Sequence, residues 1–148
     1  MPAFEVLDQN GNIVRSDDFI GKKVIIYFYP KDSTPGCTAE ACNLRDNYQA
    51  LTDRGYVVVG VSKDSVASHK KFEQKNSLPF ILLSDSTTAL LQEFGAWGEK
   101  KNYGKTTVGT IRKTFVFDES GTLVRVIEKV AFFDDSLLLF VYLFILSS

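Results

Sequence analysis

Residues 24 to 29 read Val-Ile-Ile-Tyr-Phe-Tyr, an unbroken apolar run that stops at Pro30. A half-exposed strand alternates apolar with polar residues. A run without that alternation suits a strand covered on both faces, as in sheets sandwiched between helices. Val57 to Val61 and Phe80 to Leu83 are further short apolar runs, and stretches of helical character separate them. From about Pro35 to Arg54, the residues Ala41, Leu44, Tyr48 and Leu51 fall three, four and three positions apart, one helical face, with Gly55 as the stop signal. Helices are also predicted over about Ser65 to Asn76 and Thr87 to Phe94, the second closed by Gly95.

At the start of the chain, Phe4 to Leu7 and Asn12 to Val14 flank Gln9-Asn10-Gly11, a hairpin signal. Residues 95 to 109 are rich in Gly and Lys and read as a loop. Thr110 to Phe117 and Leu123 to Val130 read as strands joined through Asp118-Glu119-Ser120-Gly121, which has turn chemistry. The sum is an α/β domain with central parallel strands and an antiparallel pair at one side.

A chain of 148 residues with no repeat or linker fits one domain, assigned to residues 1 to 131. Its 17 basic and 18 acidic residues are spread evenly, for a net charge of −1, so nothing points to nucleic acid or an anionic surface as partner. Met1 to Asn10 has no basic stretch followed by an apolar run, and there are two cysteines. Both features point to a reducing compartment, where thiols are catalytic or metal-binding more often than structural. The cytoplasm is the expected location, or an organelle if a targeting segment precedes Met1. Residues 132 to 148 form an apolar tail in which Leu137 to Leu146 is uninterrupted. That run is shorter than the ~20 residues a bilayer-spanning helix needs. It lacks the polar stripe of a surface helix and reads as a buried final element, an association contact or a stretch foreign to the natural fold.

The chemistry concentrates in Tyr29-Pro30-Lys31-Asp32-Ser33-Thr34-Pro35-Gly36-Cys37-Thr38-Ala39-Glu40-Ala41-Cys42, where a buried strand gives way to a helix. Open α/β sheets place ligands in such crevices. Thr34 is a good N-cap and Pro35 a good first helical residue, which puts Cys37 in the first turn. The unpaired N–H groups there favour a thiolate over a thiol. Cys42 lies five residues on. In an intact helix the two Cα atoms would be about 8.6 Å apart, from ~1.5 Å of rise and ~100° of turn per residue. A disulfide needs roughly 4.4–6.8 Å. A bond between Cys37 and Cys42 would therefore require the first helical turns to unwind.

Pro30-x-x-x-Thr34-x-x-Cys37 matches the active-site motif of the peroxiredoxins, and the stretch from Tyr27 to Cys42 resembles their bacterioferritin-comigratory, or Q-type, branch. Leu44-Arg45-Asp46, Leu83-Ser84-Asp85, Phe94 to Lys100 and Arg112 before Thr114 to Phe117 extend the resemblance over about residues 3 to 130. It implies a thioredoxin-like fold, a mixed sheet flanked by helices, and thiol chemistry with neither metal nor organic cofactor. Cys37 would be the peroxidatic thiolate that attacks a hydroperoxide and becomes a sulfenic acid. Cys42 would be the resolving thiol that condenses with it. Thr34 would hydrogen-bond the peroxide, Arg112 would stabilise the thiolate and the leaving oxygen, and Pro30 would pack over the sulfur. Thioredoxin or a related dithiol protein would reduce the disulfide. The chain is expected to act as a monomer, with the tail the segment suited to association. The alternative is a redox-sensing protein whose Cys37–Cys42 switch alters a partner contact.

Other residues read more plainly. His69 is expected to be a hydrogen-bonded, partly buried side chain. One His and two Cys five apart do not make a tetrahedral zinc set. Trp97 serves the pocket rim or packing, and Lys100, Lys101, Lys105 and Lys113 read as a solvated loop face.

Overall fold

The computed structural model describes residues 1–102 and 104–127. Among the described residues, nine strands and four α-helices follow one another. They are β1 (Glu5–Asp8), β2 (Ile13–Arg15), β3 (Lys23–Phe28), α1 (Pro35–Asp46), α2 (Tyr48–Asp53), β4 (Tyr56–Ser62), α3 (Val66–Asn76), β5 (Ile81–Ser84), α4 (Ala89–Glu93), β6 (Trp97–Asn102), β7 (Lys105–Thr110), β8 (Lys113–Phe117) and β9 (Leu123–Ile127). Seven strands form one mixed sheet in the order β2-β1-β5-β4-β3-β8-β9. β3, β4 and β5 are parallel, while β1, β8 and β9 join antiparallel, which is the mixed sheet expected.

β3 is buried along almost its whole length because both of its faces are covered. Ile25, Tyr27 and Tyr29 point to one side and pack with Leu44, Leu51, Phe72 and Phe80 under α1, α2 and α3. Val24, Ile26 and Phe28 point to the other and pack with Leu90, Leu91, Phe94 and Phe115. Each such side chain contributes roughly 1.5–3 kcal/mol of burial, so the apolar run fixes the centre of the sheet. Gly60 on β4 is part of that packing, because an added Cβ would stand 2.9 Å from the Tyr27 ring and hydroxyl.

The N-terminal hairpin forms as expected, with Val6 opposite Val14, and the parallel strands fall close to their predicted ranges. Three local expectations are corrected. The helix predicted over 35 to 54 is two helices, broken at Asn47 (φ −106°, ψ 7°). There the Asn47 side-chain amide donates to the Asn43 carbonyl at 2.9 Å, which competes with regular helical bonding. Residues 95 to 109 are not a plain loop: β6 and β7 pair there as a separate two-stranded ribbon, Trp97 opposite Thr110. Thr106, Thr107 and Val108 are good strand formers, but all three are exposed, so no apolar alternation marked them. The strand predicted from Thr110 is interrupted at Ile111 and Arg112, where the Ile111 N–H turns to the Ala96 carbonyl at 2.7 Å. The predicted strand end at 128 to 130 and the tail 132 to 148 lie outside the described residues.

Candidate active site

α1 starts just beyond the C-terminal end of β3. Thr34 holds an extended backbone (φ −82°, ψ 152°) at the N-cap, Pro35 is the first helical residue, and the Thr38 N–H donates to the Thr34 carbonyl at 2.8 Å. The Thr34 side chain does not cap the helix, contrary to the sequence reading. Its hydroxyl donates to the Lys31 carbonyl at 3.0 Å, so it ties the approach loop rather than the helix. Pro30, next after the strand and its extension Tyr29, is half-buried.

Cys37 lies in the first turn of α1 and is 1% exposed. Arg112 reaches it from the break between β7 and β8. Its Nη2 donates to the Cys37 Sγ at 2.9 Å, and its Nη1 to the Glu40 Oε1 at 3.4 Å. The sheet explains the meeting of residues 75 apart in sequence. β8 runs antiparallel to β3 with Lys113 opposite Phe28, so the residue before Lys113 falls where β3 ends and α1 begins. A half-buried guanidinium donor and the N-terminal amides of a helix both stabilise negative charge on the sulfur.

Glu40 is one helical turn beyond Cys37. Burial raises its carboxyl from an ordinary 4.5 to about 7, and the Arg112 charge only partly opposes the rise. The folded chain therefore takes up a proton at Glu40 that the unfolded chain releases above about 4.5, and stability from this group falls as pH rises from there to about 7. Glu40→Gln is expected to gain stability relative to the parent across that window, on the order of 1.4 kcal/mol for each unit of separation, and to level off above it. Urea midpoints of the two chains at a series of pH values measure this, and a constant difference would contradict it.

The spacing of Cys37 and Glu40 could have flagged this pair, since residues three apart share a helix face. Two further members are visible only in the fold. Tyr27 is buried, and burial first, then the charges of Glu40 and Cys37, push its ionisation well above the ordinary range, so it stays a phenol. Lys100 is half-buried rather than solvated. Burial first and Arg112 second lower its pKa, while Cys37 opposes them, which places it in the electrostatic surroundings of the sulfur. Trp97 is half-buried against the core on the α4 side, with Lys63 Nζ 5.7 Å from its ring centroid.

Cys42 lies farther along the same helix and is half-buried. Its Sγ points to the Asn76 Oδ1 at 3.7 Å, at the end of α3, and Arg45 Nη1 donates to the Asn76 carbonyl at 2.8 Å. Both thiols are free and α1 runs unbroken through both residues. Thr34, Cys37, Arg112 and Glu40 thus gather at one helix start, with Pro30 leading into it and Cys42 held apart on the α3 side.

Residues 1–126 match the AhpC/TSA family. The chain is 43% identical over 129 residues to peroxiredoxin Bcp of Bacillus subtilis (strain 168), covering 87% of this chain and 82% of that protein. To peroxiredoxin Bcp of Escherichia coli (strain K12) it is 43% identical over 127 residues, covering 86% and 81%. Among solved structures, the Xanthomonas campestris bacterioferritin comigratory protein, studied for its alkyl peroxide reduction activity, superposes with a TM-score of 0.90 at 33% identity, over 97% of this chain and 90% of that one. The chain belongs to the AhpC/TSA family, in the bacterioferritin-comigratory, Q-type branch of the peroxiredoxins.

Proposed function

We propose that this chain is a thiol peroxidase that reduces hydrogen peroxide and organic hydroperoxides through Cys37. The supporting observation is the 2.9 Å bond from the Arg112 guanidinium to the Cys37 sulfur at the start of α1. A sulfur so held is a nucleophile with its countercharge already in place. The thiolate attacks the terminal peroxide oxygen, the S–O bond forms as the O–O bond breaks, and the leaving oxygen departs as an alkoxide or hydroxide that takes up a proton. Arg112 stabilises the charge on both sides of that step, while Thr34 and Pro30 shape the approach. Water is excluded from a sulfur this deeply buried.

Cys42 then attacks the Cys37 sulfenic sulfur, the S–S bond forms, and hydroxide leaves to become water. With both cysteines on one helix, about 8.6 Å apart by helical geometry, α1 must unwind for this step. A dithiol reductant of the thioredoxin type returns both thiols. Such chemistry suits a reducing compartment, and the cytoplasm fits. Among the described residues no helix is long and apolar enough to cross a membrane. The catalytic unit is residues 1 to 131.

The test is peroxide-dependent NADPH oxidation coupled through thioredoxin and its reductase. In Cys42→Ser the first turnover is expected at the parent rate, followed by a stall and over-oxidation of Cys37, read by mass. Sustained turnover of that variant at the parent rate would remove Cys42 from the resolving role.

A further inference from the structure

Beneath the loop that leads into α1 lies a polar cluster that the peroxide chemistry does not use. Asp32 and His69 are buried, His69 completely. The His69 Nδ1 lies 2.6 Å from the Asp32 Oδ2, and its Nε2 lies 2.9 Å from the Leu83 carbonyl oxygen on β5. Asp32 also accepts from the Tyr29 hydroxyl at 2.6 Å and the Ser68 hydroxyl at 2.9 Å. Its own N–H donates to the Asp64 carboxylate at 2.7 Å, and the Ser62 hydroxyl donates to the same Asp64 oxygen at 3.0 Å. The Leu83 carbonyl only accepts, so the ring donates at Nε2, and its Nδ1 closes a short hydrogen bond with the Asp32 carboxyl. Tyr29 remains a phenol donor, its ionisation pushed up by burial above all. Asp32, Asp64 and His69 are metal-ligand residue types with donor atoms within 4.8 Å of one another, but these hydrogen bonds already occupy them.

The next residue is the telling one. Ser33 has a φ of +63°, a left-handed conformation that a residue with a Cβ adopts at a cost. That turn swings the chain from Asp32, pinned in the interior, to Thr34 and the first turn that carries Cys37. We propose that Asp32 and His69 are positioning residues of the peroxidatic centre. Their buried hydrogen-bonded pair holds the loop in the strained turn at Ser33, and so sets where Thr34 and Cys37 stand relative to Arg112. The pair anchors to α3 and β5, neither of which has to move when α1 unwinds, so it acts on peroxide attack and not on disulfide formation.

This rests on Cys37 being the attacking sulfur, and Cys37→Ser in the same assay tests that separately. The experiment is rapid mixing of reduced chains with hydrogen peroxide, with sulfenate and disulfide followed by quenched mass analysis. Asp32→Asn and His69→Gln are expected to slow sulfenate formation about tenfold or more, the scale of a small misplacement at a reacting centre. Disulfide formation should proceed at the parent rate or faster. Adding Ser33→Gly to His69→Gln should recover part of the lost rate, because glycine holds a φ of +63° without strain. A sulfenate rate within twofold of the parent in both variants, equal slowing of both steps, or no recovery from Ser33→Gly would each overturn the proposal. Should the variants fail to fold, the parent still decides. His69 is the single histidine, so its ring nitrogens give one set of NMR signals. Its Nε2 should carry the proton that the Leu83 carbonyl accepts, and a bare Nε2 would overturn the anchoring on which the proposal rests.

Discussion

Cys37→Ser is expected to bring peroxide-dependent turnover to the uncatalysed background, a loss of at least about a thousandfold. Serine is close to cysteine in size, so α1 and the core around Cys37 should persist and far-UV circular dichroism should be unchanged. What disappears is the polarisable sulfur, because a hydroxyl beside Arg112 is a poor nucleophile toward oxygen. The measurement is sulfenate formation on rapid mixing with hydrogen peroxide and with an alkyl hydroperoxide, alongside the coupled NADPH assay. Full multiple-turnover activity in the serine variant would refute the assignment of Cys37. Slow turnover in the parent, together with a partner bound in only one redox state, would favour the redox-switch alternative.

Arg112→Met is expected to slow sulfenate formation by about 10²–10³-fold, the range seen when one charge-stabilising donor is removed from a reacting centre. Methionine keeps much of the apolar stem while removing the donors to the Cys37 Sγ and the Glu40 Oε1. Deleting one partner of a buried ion pair ordinarily leaves a costly unpaired charge. Here the cost is limited. Arg112 is what lowers the Glu40 carboxyl against the effect of burial, so without it the group rises above about 7 and stays protonated at neutrality. The rate should therefore fall much more than the stability. Arg112→Lys restores the charge but not the planar fork that reaches sulfur and carboxylate together, and should recover only part of the rate. An Arg112→Met rate within threefold of the parent would remove the guanidinium from the mechanism.

Local chemistry made much of this legible in the chain itself. An apolar run ending at Pro30 specified a strand covered on both faces, and Thr34-Pro35 specified a helix start three residues before Cys37. Such signals survive because they depend on near neighbours: steric limits at proline, the orphan amides of a first turn, the period of a helix. The misreadings were also local. Asn47 broke a helix whose apolar spacing continued through it, and β7 carried no alternation because Lys105 to Val108 are all exposed.

What the linear order of residues determined was the strand–helix junction and the helix that carries Cys37 and Cys42, the two thiols proposed as nucleophile and partner. What only the tertiary structure decided was the sulfur's surroundings: Arg112 brought in by the antiparallel register of β3 and β8, Glu40 driven toward neutrality by burial, and Asp32 locked to His69 from 37 residues away. The physical reason is that charge and hydrogen-bond energies depend on distance and on the exclusion of water, and for residues far apart in sequence both are set only when the sheet closes.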